Sequence, residues 1–365
     1  MSARFKSLRS RYFFVPVFAL ALLAISWSAK LSNPVLAALG FVLVAAVFTA
    51  VHHAEVVALK VGEPFGSLIL ALAVTVIEVG MIVVLILASP DNNKELARNT
   101  VFAAVMITTN GIVGIALLIK SLRQRVATFN ASGVSGALAA LVALSTLTLV
   151  LPSLTTSTPG PTFNSIQLGF AAVVSLGLYL TFVTVQTVRH RDYFLPPARE
   201  DQTIPVEEHV DPPTKDQALQ SLAGLLLSLI AVVGLAKVTS PLIQGVVDDQ
   251  GLPQMLVAIS IAIVVLLPES ISAIKAARYG RTQTSLNLAY GSALASIGLT
   301  IPVIAAISLF SSYEVNLGLN AAEIALMALT FLVSILTVVS GRATLLQSII
   351  HLSIFGSFIL FAATP

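Results

Sequence analysis

The sequence predicts an all-α polytopic membrane protein of about eleven transmembrane helices, a first helix followed by two inverted five-helix repeats. Three observations predict it. The 365-residue chain is 56% hydrophobic and only 10% charged, with a mean hydropathy of +0.94, whereas a soluble domain carries about 25% charged residues. That composition cannot cover a water-facing surface, and it excludes both a soluble globular enzyme and a disordered chain. The apolar residues also fall into eleven stretches near the ~20 residues a helix needs to cross a bilayer core of about 30 Å. Finally, 16 of the 20 lysines and arginines lie on one side of the loops those stretches define. The absence of cysteine removes disulfide scaffolds, thiolate metal sites and cysteine nucleophiles.

In chain order the predicted spans are 13–30, 34–52, 64–88, 99–119, 133–151, 165–187, 217–236, 254–277, 284–309, 321–339 and 342–362. Prolines and small polar residues punctuate the joins, at Asn33-Pro34, Glu63-Pro64, Ser89-Pro90-Asp91 and Pro159-Gly160-Pro161. Arg4, Lys6, Arg9 and Arg11 before the run from Phe13 resemble a signal peptide. The run continues to Ala29, with only a loose cleavage pattern at Ser26-Trp27-Ser28, so a retained first helix is the better reading.

Orientation follows from the basic residues, which favour cytoplasmic loops. With the N-terminus inside, only Lys30, Lys94, Arg98 and Lys237 fall outside, so the C-terminus is external and the pI of about 9.2 is a topology signal. It does not imply a nucleic-acid partner; the chain's surroundings are the lipid bilayer, expected to be that of the plasma (inner) membrane, with a homo-oligomer left open. The segment from Arg189 to Asp216 holds Asp192, Glu200, Asp201, Glu207, Glu208, Asp211 and Asp216 with five prolines. It reads as a cytoplasmic tether, with cation steering or Ca²⁺ sensing as further roles. The domain order is thus an N-terminal arm and first helix (1–33), a first repeat (34–187), the acidic linker (188–216) and a second repeat (217–365). An odd number of crossings per repeat inverts one against the other, which is the arithmetic of an inverted-repeat transporter.

Two acidic residues sit deep inside spans rather than in loops or at span ends, Glu78 and Glu269. Each lies in the second span of its repeat, within roughly 5 Å of the bilayer centre at 1.5 Å per residue. A carboxylate there costs about 2.5–3.5 kcal/mol, and the same cost at matched positions of two halves points to function. Ser67, Ala71, Thr75 and Glu78 share a helical face, as do Ala258, Ala262, Glu269, Ser272, Ala273 and Ala276. The following spans carry Thr108-Thr109-Asn110-Gly111 with Gly114, and Gly291-Ser292 with Ser296, as interruptions that could equally be helix packing. All five histidines (His52, His53, His190, His209, His351) lie at span ends, in the linker, or alone in the last span, which speaks against an intramembrane metalloprotease.

At these residues the sequence resembles the calcium/proton exchanger branch of the cation/calcium antiporter superfamily, in its bacterial ChaA-type form. The segments that carry the resemblance are Gly62-Glu63-Pro64-Phe65-Gly66-Ser67-Leu68-Ile69-Leu70 through Ile77-Glu78-Val79, Leu267-Pro268-Glu269-Ser270 through Ala276, and Leu286 through Ile301-Pro302-Val303. The resemblance implies that Glu78 and Glu269 bind the cation and take up protons. The family's motif asparagines are replaced here by Thr75 and Leu266, while its later Gly-Ser motif matches Gly291-Ser292 and has Asn110 as first-half counterpart. The expected cation ligands are therefore Glu78, Glu269, Thr75, Asn110, Ser292 and Ser296, with no cofactor and no enzymatic activity. Ca²⁺ and H⁺ are the expected cargo, with a Na⁺ or K⁺/H⁺ antiporter using the same pair as the main rival and a cation channel behind it.

Overall fold

A computed structural model describes residues 3–62, 65–88, 93–195, 213–311 and 313–365. Outside them fall the joins at Glu63-Pro64 and Ser89-Pro90-Asp91, and residues 196–212 of the linker with Glu200, Asp201, Glu207, Glu208 and Asp211. The side chain of Ser67 is likewise not described. The helices are α1 (Ala3–Ser26), α2 (Asn33–Val61), α3 (Phe65–Ala88), α4 (Leu96–Met106), α5 (Val113–Gln124), α6 (Ala131–Ser145), α7 (Ser165–Thr184), α8 (Lys215–Asp249), α9 (Met255–Arg278), α10 (Thr282–Phe310), α11 (Ala321–Val339) and α12 (Leu345–Ala363). A π-helical turn, Ile107–Ile112, joins α4 to α5 into one 29-residue span. Among the described residues ten helices are long and apolar enough to cross a membrane, and α1 adds the shorter apolar stretch Phe13–Ser26.

The chain packs as two compact units, each drawing on both halves of the sequence. One comprises residues 1–89 and 199–251, hence α1, α2, α3 and α8. Here α8 lies along α2 and touches α1 and α3. The close approach needs glycine: a Cβ on Gly224 would come within 2.4 Å of the buried His53 ring. Small residues at such contacts are what hold helices together where lipid removes the hydrophobic drive.

The other unit comprises residues 90–198 and 252–365. The α4–α5 span packs against α9, α11 and α12, while α10 packs against α9, α6 and α7. Exchanging α4–α5 with α10, α6 with α11, and α7 with α12 maps the α11 and α12 contacts of the first span onto the α6 and α7 contacts of the second, while both pack on α9. At one end of this unit Arg123 Nη1 donates to the Arg278 carbonyl at 2.6 Å and Asn287 Nδ2 to the Phe194 carbonyl at 2.7 Å. There too the two-residue strands β1 (Ala127–Thr128) and β2 (Arg342–Ala343) pair antiparallel. The helix ends and loops carrying Lys120, Arg123, Arg125, Arg189, Arg191, Lys275, Arg278, Arg281 and Arg342 thus converge at one end.

At the opposite end, Arg98 is 5% exposed. It donates to the Gly318 carbonyl (2.6 Å), Glu95 Oε2 (2.7 Å) and Asn99 Oδ1 (2.9 Å). Beside it the Tyr313 hydroxyl donates to the Asn93 carbonyl at 2.8 Å, and burial pushes that phenol up to about 12, so it stays a donor. Glu323, a third acid near a span, is absorbed locally. It forms the reciprocal capping box of α11 with Asn320, both bonds at 2.9 Å.

Candidate functional site

Each candidate carboxylate lies near the middle of an apolar spanning helix. Glu78 on α3 is 3% exposed and Thr75, one turn earlier, 4%. On α9, Glu269 follows Pro268 directly, inside the helix. A proline there offers no N–H to the carbonyl of Val264, so the ladder is opened one residue before the carboxylate. Both Glu269 carboxylate oxygens are shielded from solvent. Glu78 and Thr75 belong to one compact unit, and Glu269, Asn110, Ser292 and Ser296 to the other. Within the second unit, Ser296 is 2% exposed and central in α10, with the half-buried Ser292 one turn before it.

The interruption expected in the α4–α5 span takes the form of a π turn. Residues 107–112 widen into a π turn, a form that recurs at functional sites. Thr108 and Thr109 hydroxyls bond back to the carbonyls of Ala104 (2.7 Å) and Val105 (3.0 and 2.6 Å), so both are satisfied by their own helix. In contrast, α10 runs unbroken from Thr282 to Phe310 through Gly291, Ser292 and Pro302.

Asn110 anchors a polar chain that the sequence left hidden. It is fully buried, at the middle of its 29-residue span. Its Nδ2 donates to Thr330 Oγ1 on α11 at 2.9 Å, and Thr330 Oγ1 donates to the Leu326 carbonyl at 2.8 Å. Its Oδ1 lies 3.0 Å from Nδ1 of His351 on α12, whose Nε2 lies 3.2 Å from Thr337 Oγ1. His351, expected to stand alone, is thus a completely buried member of a network spanning three helices. The signal that could have found it is general: an ionisable residue inside a span is a functional hypothesis by default.

A polytopic α-helical protein with acids, an amide and hydroxyls buried at the centres of its spans has the equipment of a membrane ion transporter. The chain belongs to the sodium/calcium exchanger protein family, whose description matches residues 13–188 and 220–364. It is 46% identical over 323 residues to y4hA of Sinorhizobium fredii, named as an ionic transporter, covering 88% of this chain and 87% of that protein. It is 30% identical over 349 residues to the sodium-potassium/proton antiporter ChaA of Escherichia coli, covering 94% of each. Among solved structures, the H⁺/Ca²⁺ exchanger CAX matches with a TM-score of 0.73 over 98% of this chain and 89% of that one at 16% identity. Native YfkE matches with 0.71 over 97% and 100%, also at 16% identity. These two establish the fold, and the chain is a multi-span membrane protein of a bacterial transporter family.

Proposed function

We propose that the protein is a secondary cation/proton antiporter that exports Ca²⁺ in exchange for H⁺ through Glu78 and Glu269, working by alternating access between inverted repeats. The observation that carries this reading is a buried carboxylate at the centre of α3 and another at the centre of α9, in a chain of the exchanger family. Hard cations take oxygen ligands, and Thr75, Asn110, Ser292 and Ser296 would add hydroxyl and amide oxygens to the two carboxylates. Cation and protons would compete for the same two carboxylates, which is antiport in its simplest form. Exchange of two protons for one divalent ion keeps the site near neutral in both loaded states. The exchange of packing partners between α4–α5 and α10 supports the inverted repeat. The convergence of nine basic side chains at one end supports placing that end in the cytoplasm.

A second reading, Na⁺ or K⁺ against H⁺ at the same residues, is favoured by the sodium-potassium/proton antiport for which the Escherichia coli relative is named. One experiment separates them. Radioactive calcium uptake into everted vesicles, driven by an imposed pH gradient, should be abolished when the gradient is collapsed and should survive excess Na⁺ and K⁺. Gradient-driven uptake of Na⁺ or K⁺ with none of Ca²⁺ would establish the second reading, and no gradient dependence for any of the three would refute antiport.

A further inference from the structure

The hydrogen-bond directions around Asn110 follow from its neighbours. The Thr330 hydroxyl gives its proton to the Leu326 carbonyl, so toward Asn110 it can only accept, and it must face the amide nitrogen. The Asn110 oxygen then faces His351 Nδ1 and requires a donor there, while the Thr109 backbone carbonyl also accepts from this ring. Nε2 is left as an acceptor for Thr337, whose hydroxyl has no other partner among the described residues. The result is one unidirectional chain, from Thr337 through His351 and Asn110 to Thr330 and Leu326, with every member neutral. Thr330 is the central residue of α11 and Asn110 that of its span. The chain therefore crosses the middle of the membrane, where an unmet polar group costs most.

An asparagine serves a cation through its oxygen, which has two lone pairs, and repels it through its amino group. We propose that His351 is a positioning residue for transport: as the neutral Nδ1–H tautomer it locks the Asn110 amide with its oxygen available and its amino group turned to α11. One oxygen lone pair takes the histidine proton and the other remains for the cation. The inference rests on the reading of Asn110 as a cation ligand. Without the ring, the amide could rotate and present N–H groups to the cargo. The histidine holds orientation and carries no proton between the two sides.

The test uses the full-length protein in proteoliposomes, with cation half-saturation and maximal rate measured from about pH 6 to 8, the range in which an unperturbed histidine titrates. His351→Leu removes the donor. His351→Asn places an amide N–H near the Nδ1 position, and His351→Gln near Nε2. Loss of a residue that orients a ligand typically weakens metal affinity about 10–100-fold. His351→Leu should therefore raise half-saturation at least about tenfold while the maximal rate holds within about twofold. His351→Asn should restore most of the affinity with the parent's pH profile, and His351→Gln should not. The ¹⁵N spectrum of the parent should show a buried histidine protonated at Nδ1 only, unchanged across that pH range. Parent-like half-saturation in His351→Leu, equal behaviour of the Asn and Gln variants, or a ring that titrates would overturn the proposal. Should the Leu variant not fold, the Asn/Gln contrast and the spectrum decide. Asn110→Ala separates the two levels: parent-like half-saturation there refutes the ligand reading itself, whereas an effect there with none in His351→Leu refutes only the positioning role.

Discussion

His351 and Asn110 are 241 residues apart in sequence and 3.0 Å apart in the core, and the space that lets them meet is made by a glycine. A Cβ on Gly114 would lie 2.9 Å from Cγ and Cδ2 of Leu352 and 3.3 Å from the His351 Cβ. One turn after Asn110, the α4–α5 span therefore has no side chain where α12 crosses it. Contact of this kind replaces the hydrophobic drive that lipid removes.

Gly114→Ala should consequently separate α12 from the span and stretch the His351–Asn110 bond. Overpacking of a close contact costs about 1–3 kcal/mol, so thermal melting in detergent should show a clear loss, larger for Gly114→Leu. Cation half-saturation should rise in parallel. An alanine variant with parent melting and affinity would mean that the contact yields without consequence.

Arg98 predicts a purely structural phenotype. It fills three acceptors from a buried position, tying the start of α4 to the loop that precedes α11. Arg98→Met leaves the Gly318 carbonyl unpaired, at a cost of about 1–3 kcal/mol. Arg98→Lys should recover little, because an ammonium cannot reproduce the guanidinium fork. The measurement is unfolding midpoint alongside transport: stability should fall while the half-saturation of whatever folds stays at the parent value.

Glu78 and Glu269 predict the opposite pattern. A mid-membrane carboxylate costs about 2.5–3.5 kcal/mol, so Glu78→Gln and Glu269→Gln should melt at or above the parent temperature. Exchange should nevertheless fall at least about tenfold in each, since the affinity of an oxygen site for a hard cation follows its count of ligand charges. Near-normal proton-coupled exchange in either variant would remove that residue from the site.

The sequence carried the fold further than it carried the site, for reasons visible at single residues. Span number and type were legible because backbone in lipid must close its own hydrogen bonds, and apolar runs of ~20 residues have few alternatives. Span ends were less so. The prediction closed α2 at residue 52, because His52-His53 and Lys60 read as interfacial. The helix runs on to Val61, since His53 is 5% exposed against the backbone of α8. Likewise α8 passes Lys237 and continues to Asp249, with the Lys237 ammonium 4.2 Å above the Trp27 ring. Within the candidate site, the mid-span position of Glu78 and Glu269 was legible by counting along each span. The partnership of Asn110 with His351 was not. It depends on which helix faces which across more than two hundred residues, and a lone polar residue carries no mark of its partner.

The last prediction concerns the two ends of the α4–α7 and α9–α12 unit, and it uses the absence of cysteine from the chain. Arg342 lies in β2, paired with β1, at the end where the basic loops converge. Glu314 lies at the other end, its side chain 79% exposed and 3.3 Å from the Lys94 ammonium. From β2, α12 runs back across the unit, which brings Ala363 to the Glu314 end. In the proposed orientation the Arg342 end, rich in lysine and arginine, faces the cytoplasm. Single cysteines at Arg342, Glu314 and Ala363, labelled in intact cells with a membrane-impermeant maleimide, should therefore split two against one. Glu314→Cys and Ala363→Cys should react from outside, and Arg342→Cys only after the membrane is opened or inverted. Reaction of all three from one face would break the eleven-span count, because α11 crosses once between Glu314 and Arg342 and α12 once between Arg342 and Ala363. The reverse split would keep the count and overturn the orientation, and with it the direction in which a proton gradient drives the cation.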